Sequence, residues 1–207
     1  MFAYCGNNPI NFIDHSGFVA IHNQAYLHIE RNKGYDYITD QDDPAIADKR
    51  LGLATISHGG CGVIASYNAL VTLGASQTFD QVLSYYNSQV VNTLGFGLMG
   101  LLPYEVAGYF SNLGYSVVTT NQKEQIDHLS QTADACIMYY EFPQTYSVFN
   151  LFSIDAYGAH FIEYGRMSGS YIGRNTSEGN GIYAFSSPHS YGTKGPRYYM
   201  VGIFIYK

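Results

Sequence analysis

The apolar positions in the first half of the chain repeat at helical spacing. Residues 61–73 are apolar almost all round, which predicts a helix buried on most sides. A capping box over 78–81 predicts a second helix. Pro103 and Gly114 have the residue types that begin and end a third. A further capping box over 121–124 predicts a short fourth helix, so this half is expected to be mainly helical.

The second half is rich in strand-forming residues, and its last segment, 197–206, alternates apolar with polar positions. Strands are expected at 115–120, 135–140, 159–164, 171–175, 182–186 and 197–206, and the last is suited to a central position. Residues 141–158 are expected to form a long aromatic loop that makes one wall of a cleft and moves when substrate binds. Because helices come first and strands later, the predicted class is α+β with a mostly antiparallel sheet.

Composition and charge narrow the range of functions. The 207 residues are 46% hydrophobic and 13% charged, as in a globular domain, and the net charge of -6 argues against a nucleic acid partner. No apolar run reaches transmembrane length, and the N-terminus lacks the pattern of a signal peptide. The three cysteines, Cys5, Cys61 and Cys136, form neither a disulfide framework nor a zinc pattern, so no metal or cofactor is expected.

Cys61 is the strongest candidate for chemistry. Three glycines surround it at the start of the predicted helix over 61–73. The free N–H groups and partial positive charge of a helix N-terminus favour a thiolate, and they also help to hold an oxyanion. Glycines at this turn are expected to allow a positive φ and a close approach of substrate. The alternative is a small buried cysteine in a core helix, which is the interpretation favoured for Cys136.

Two later residues complete a thiol active site. His160 lies on a predicted strand and Asn175 ends the next one, so an antiparallel hairpin places them side by side. Thiol catalysis needs a base that accepts and returns the proton and a group that orients the base. We expect His160 to be the base and the Asn175 carboxamide oxygen to orient it. Asp155 is the second choice for the orienting group.

The order Cys61, His160, Asn175 resembles that of papain-like cysteine peptidases, whose cysteine begins a central helix after a glycine-rich turn. The histidine context at 158–162 and the asparagine context at 171–176 match that family, and residues 102–120 resemble the bacterial peptidases that cleave double-glycine leaders. The resemblance extends over about residues 50–207. It implies a peptidase that forms an acyl-enzyme on Cys61.

One feature departs from the family. Papain-like enzymes usually carry a glutamine a few residues before the cysteine, and its amide completes the oxyanion hole. Residues 53–58 contain no glutamine. The Cys61 main-chain N–H remains as a donor, and the side chains of Ser57, His58 or Thr55 are the candidates for the second.

Residues 1–17 are rich in turn signals and resemble the closing segment of the core of RHS/YD-repeat proteins. In that family an Asn-Pro and a later Asp-Pro-x-Gly precede a variable C-terminal domain, and the segment is associated with self-cleavage. Asn8-Pro9 and the stretch from Asp14 to Gly17 match, except that His15 replaces the proline. The resemblance divides the chain into a carrier segment, 1–17, and a hydrolase domain, 18–207.

Taken together, the sequence predicts a thiol hydrolase that acts on a protein or peptide substrate. The RHS resemblance implies a toxin that is secreted or delivered into a target cell by its carrier, with a cognate immunity protein as a second partner. Two alternatives stay open. The same residues could deamidate or transamidate a protein glutamine, or the domain could be a non-catalytic papain-like binding domain, which the absent glutamine favours.

Overall fold

The computed structural model describes residues 37–89, 97, 100–148, 152–167, 169–176, 181–190 and 199–207. The expected carrier segment, 1–17, lies outside these residues. The α-helices of the described part are α1 (Ile56–Gly59), α2 (Cys61–Thr72), α3 (Phe79–Gln89), α4 (Pro103–Asn112) and α5 (Lys123–Leu129), and a 3-10 turn covers Pro188–Ser190. The helices expected from the apolar spacing are therefore confirmed, including the one that begins at Cys61.

The strands form two sheets within the described residues. A small hairpin of β1 (Arg50–Leu51) and β2 (Ala54–Thr55) precedes α1. The large sheet contains β3 (Ser116–Thr120), β4 (Ala135–Val148), β5 (Phe152–Met167), β6 (Ser170–Thr176), β7 (Gly181–Phe185) and β8 (Tyr199–Tyr206). Its spatial order is β3-β8-β4-β5-β6-β7, and all of its pairings are antiparallel. The α+β class is confirmed, and the last strand, β8, is an interior strand between β3 and β4.

Two hydrophobic clusters hold helices against opposite faces of this sheet. On one face α2 packs with Val63, Ile64 and Leu70 against residues of β4 and β8 such as Ile137 and Ile203. On the other face Ile126 of α5 packs with β4, β5 and β8. Because α2 is buried on most sides, as its apolar composition predicted, its first residue is held at a fixed place beside the sheet.

The expected loop at 141–158 is wrong. β4 and β5 continue as one long hairpin arm, paired from Cys136↔Tyr164 to Val148↔Phe152, and only residues 149–151 separate the two strands. The segment contains many β-branched and aromatic residues, and pairing along the arm satisfies its backbone hydrogen bonds. Residues 141–148 and 152–158 therefore extend the sheet.

The start of α5 also differs from the prediction. Its N-cap is Gln122 and not Asn121, and it has no side-chain capping bond. The Thr120 hydroxyl instead accepts a hydrogen bond from the Gln122 main-chain N–H at 3.2 Å. By contrast, the capping box of α3 is confirmed, since Thr78 and Gln81 exchange hydrogen bonds at 2.8 and 3.3 Å.

Candidate active site

The junction between α1 and α2 sets the position of Cys61. Gly60 is the N-cap of α2 with φ -86° and ψ 0°, and its N–H donates to the Ile56 carbonyl at 2.9 Å. The glycines of this turn have no positive φ, contrary to the expectation from sequence. They are required by close contacts within the chain. A Cβ on Gly60 would lie 2.6 Å from the Ile56 carbonyl oxygen, and one on Gly62 would lie 3.0 Å from the Leu101 side chain.

The surroundings of Cys61 favour the ionised form of its thiol. Burial opposes its ionisation, since the residue is only 9% exposed. A hydrogen bond from His160, the positive charge of that ring and the main-chain N–H groups of Phe161 and Gly62 outweigh this effect. The pKa of the Cys61 thiol is therefore lower than its ordinary value.

Cys136 provides the contrast. It is 5% exposed and lies on the other face of the sheet, in the cluster with Ile126. Burial first, and then the charge of Glu163, raise the pKa of this thiol to about 12. The two described cysteines therefore differ in chemistry, as expected: one is a candidate nucleophile and the other packs in the core.

His160 reaches Cys61 from the edge of β5. The pairing of β5 with β6 runs from Glu163↔Arg174 to Met167↔Ser170, so His160 lies beyond the last paired residues. It pairs with Tyr140 of the neighbouring strand β4, and the centroids of the two rings lie 5.8 Å apart. At this edge the imidazole contacts both the Cys61 thiol and the end of β6. The expected neighbourhood of thiol, imidazole and Asn175 is thus present.

The contact between His160 and Asn175 uses a different atom from the one expected. His160 Nε2 lies 2.6 Å from the main-chain carbonyl oxygen of Asn175, not from its carboxamide. Asn175 is only 3% exposed and has φ 59°, in the left-handed region. Because Nε2 is occupied by the carbonyl, Nδ1 is the ring nitrogen that remains for the Cys61 thiol.

Asp155, the second choice for the orienting group, lies elsewhere. It is part of the β4–β5 arm, where it pairs with Thr145. Five residues of strand separate it from His160, which corresponds to about 17 Å at about 3.4 Å per residue. Its position along the arm therefore does not suit an orienting role.

The candidate oxyanion residues lie on the segment that leads to Cys61. The Ser57 and Thr55 hydroxyl groups are hydrogen-bonded to each other at 2.9 Å, and His58 is exposed on α1. A glutamine does approach this segment, from a distant part of the sequence: Gln41 Nε2 donates to the Ser57 carbonyl at 2.7 Å. No local sequence pattern indicates a role for Gln41, because it lies 16 residues before Ser57 and this contact forms only on folding.

A groove lies next to this centre, between the N-terminus of α4 and the sheet. Its volume is about 460 Å³, and the residues that line it include Leu102, Tyr104, Tyr139, Glu141, Tyr199 and Val201. Tyr139 connects the groove with the candidate site. Burial, the hydrogen bond to Glu141 and then the nearby charge of Cys61 all raise the pKa of Tyr139. Of the segment 141–158, Glu141 lines this groove, and it does so from strand β4.

Neither a metal cluster nor a membrane-spanning helix occurs in the described part of the chain. Among the described residues, no group of three or more His, Cys, Asp or Glu side chains could hold a metal ion. In the same part of the chain, no helix has the length and apolar character needed to cross a membrane.

Comparisons with known proteins found similarity only among solved structures. No family model matches the sequence, and no curated protein matches it. Among solved structures, the peptidase domain of Streptococcus ComA, a bifunctional ABC transporter involved in a quorum sensing pathway, is similar with a TM-score of 0.43 and 11% sequence identity. The match covers 70% of this chain and 90% of that domain. A similarity of this size does not establish a shared fold.

Proposed function

We propose that this chain is a papain-like cysteine hydrolase that cleaves an amide bond in a protein or peptide substrate. The observation that carries the proposal is the contact of Cys61 with His160 at the start of α2, together with the lowered pKa of the thiol. A buried thiol in a structural role has no need of a hydrogen-bonded imidazole, as Cys136 illustrates.

The geometry supports a reaction in two steps. In the first, His160 Nδ1 takes the proton of the Cys61 thiol and Cys61 Sγ attacks the substrate carbonyl carbon. His160 then gives this proton to the amine as the C–N bond breaks and the thioester forms. In the second, His160 accepts a proton from water as the water oxygen attacks the thioester. The C–S bond then breaks, which releases the carboxylic acid product and restores the Cys61 thiol and the neutral His160. The main-chain N–H of Cys61 at the helix N-terminus is the first oxyanion donor, and Ser57 or His58 is the candidate for the second.

The groove beside Tyr139 is the proposed binding place for the substrate chain. Three tyrosines, Tyr104, Tyr139 and Tyr199, give it an aromatic lining, and Tyr104 and Tyr199 are 65% and 44% exposed. Exposed aromatic side chains of this kind contribute large contact areas to a bound peptide. We therefore expect apolar side chains on the part of the substrate that lies in the groove.

The test compares wild type with Cys61→Ala, and with Cys136→Ala as the matched control. Target-cell extract is treated with each protein, and new protein N-termini and deamidated glutamines are both measured. New N-termini that require Cys61 but not Cys136 support the peptidase. Deamidation with the same requirement would replace it with a glutamine deamidase on the same residues, and a result independent of Cys61 would contradict the enzyme.

We further propose that the hydrolase is the toxin domain of an RHS-type protein, released or delivered by a carrier of which residues 1–17 are the end. The support is the turn motif at Asn8-Pro9 and at 14–17. Expression of residues 18–207 inside a bacterial cell tests this role. Growth inhibition that disappears with Cys61→Ala is expected, and unaffected growth with active protein would contradict it.

A further inference from the structure

The end of β6 has an irregular backbone at Asn175. The pairing of β6 with β7 shifts between Arg174↔Ile182 and Thr176↔Gly181, so Asn175 lies in a bulge. Its φ of 59° is a positive value for a residue that is not glycine, and none other occurs in the described part of the chain. Such backbone strain at a buried position persists only where the surrounding structure holds it.

Both sides of the bulge are held firmly. Before it, Arg174 donates to the buried carboxylate of Glu163 and lies 3.8 Å from the centre of the Tyr37 ring. After it, Thr176 pairs with Gly181, and a Cβ on Gly181 would lie only 1.7 Å from the Thr39 carbonyl oxygen. The backbone at 175 is therefore not free to relax towards an ordinary strand.

The bulge directs the Asn175 carbonyl to the imidazole. That oxygen lies 2.6 Å from His160 Nε2. The carboxamide nitrogen, Nδ2, is buried and has no hydrogen-bond partner among the described residues. A main-chain carbonyl only accepts hydrogen bonds, so it requires a proton on Nε2 and leaves Nδ1 to exchange a proton with Cys61.

We propose that Asn175 positions His160 through its main-chain carbonyl, and that an asparagine stands here because it tolerates the left-handed backbone. Asparagine adopts this conformation several times more readily than most residues do. The inference rests on the proposed function, since His160 needs orientation only if it serves Cys61. It differs from the sequence expectation, in which the carboxamide is the orienting group.

Two variants separate these roles. Asn175→Gly and Asn175→Ala both remove the carboxamide, but glycine accepts a positive φ freely and alanine does not. The readout is the rate of Cys61 alkylation by iodoacetamide in the full chain, followed from about pH 5 to about pH 9, since thiolate reactivity reports the Cys61–His160 pair. We expect the glycine variant to react about 5- to 30-fold faster than the alanine variant near neutral pH, which corresponds to the cost of a left-handed alanine.

Each result has a distinct meaning. An equal loss of the Cys61 alkylation rate in Asn175→Gly and Asn175→Ala would overturn the role of the carbonyl. So would an alkylation rate in Asn175→Gly as low as that in His160→Ala. The comparison with His160→Ala decides the matter even if the alanine variant does not fold. If wild-type Cys61 reacts no faster than Cys61 in His160→Ala, the thiol is not activated by this histidine, and the proposed function itself fails.

Discussion

The ion pair between Glu163 and Arg174 gives a prediction about stability that can be worked out from the structure. Glu163 is fully buried and Arg174 is 5% exposed. The carboxylate accepts hydrogen bonds from the Arg174 guanidinium and, at 2.7 Å, from the Thr72 hydroxyl of α2. The perturbation is Arg174→Met, which keeps a long apolar side chain but leaves the buried carboxylate without its cation.

The expected cost is large because a buried charge loses its partner. Breaking such a pair on one side costs about 3–5 kcal/mol. For a chain of this size, each kcal/mol lowers the unfolding temperature by roughly 2–4 °C, so the expected decrease is about 6–20 °C. The double variant Arg174→Met with Glu163→Met removes both charges and should recover most of the loss, because apolar replacement of a buried pair is often about neutral.

Urea unfolding of wild type, both single variants and the double variant measures this coupling as a double-mutant cycle. A cost below about 1 kcal/mol for Arg174→Met would refute the reasoning. So would a double variant that is no more stable than the single ones, because the buried pair would then not be the source of the loss.

Three further predictions concern the site and the domain boundary. Alkylation of Cys61 should rise with pH around a midpoint below the ordinary thiol value of about 8.5, since its pKa is lowered, while Cys136 with a pKa of about 12 stays unlabelled in the native protein. Equal labelling of the two thiols, measured by peptide mass spectrometry, would contradict this. Gly60→Ala should cost about 1–3 kcal/mol and slow Cys61 alkylation because its Cβ meets the Ile56 backbone. The control Gly108→Ala, whose Cβ meets nothing within 4 Å in α4, should gain about 0.5–1 kcal/mol. Finally, a chain that begins at Phe18 should keep the unfolding temperature of the full chain by calorimetry; a large decrease would make residues 1–17 part of the fold.

Much of the site could be predicted because it depends on local patterns. The glycines around Cys61 and the apolar run after it predict a thiol at a helix start, and strand patterns place His160 and Asn175 on neighbouring strands. The atom that contacts His160 could not be predicted in this way. A bulge that gives Asn175 a positive φ depends on how β6 pairs with β7 and on contacts with Tyr37 and Thr39.

The sequence by itself determined the four longer helices α2 to α5, most of the strands, the α+β class and the two candidate residues of the thiol pair. These features follow from periodicity, capping residues and glycines, which act over a few residues. The tertiary structure decided that 141–148 and 152–158 extend the sheet, that Gln41 lies against the segment before Cys61, and that a carbonyl faces His160. Each of these features is a contact between residues that are distant in the chain. Local residue preferences do not select among the possible contacts, because the free energy that stabilises them comes from packing and strand pairing in the folded state.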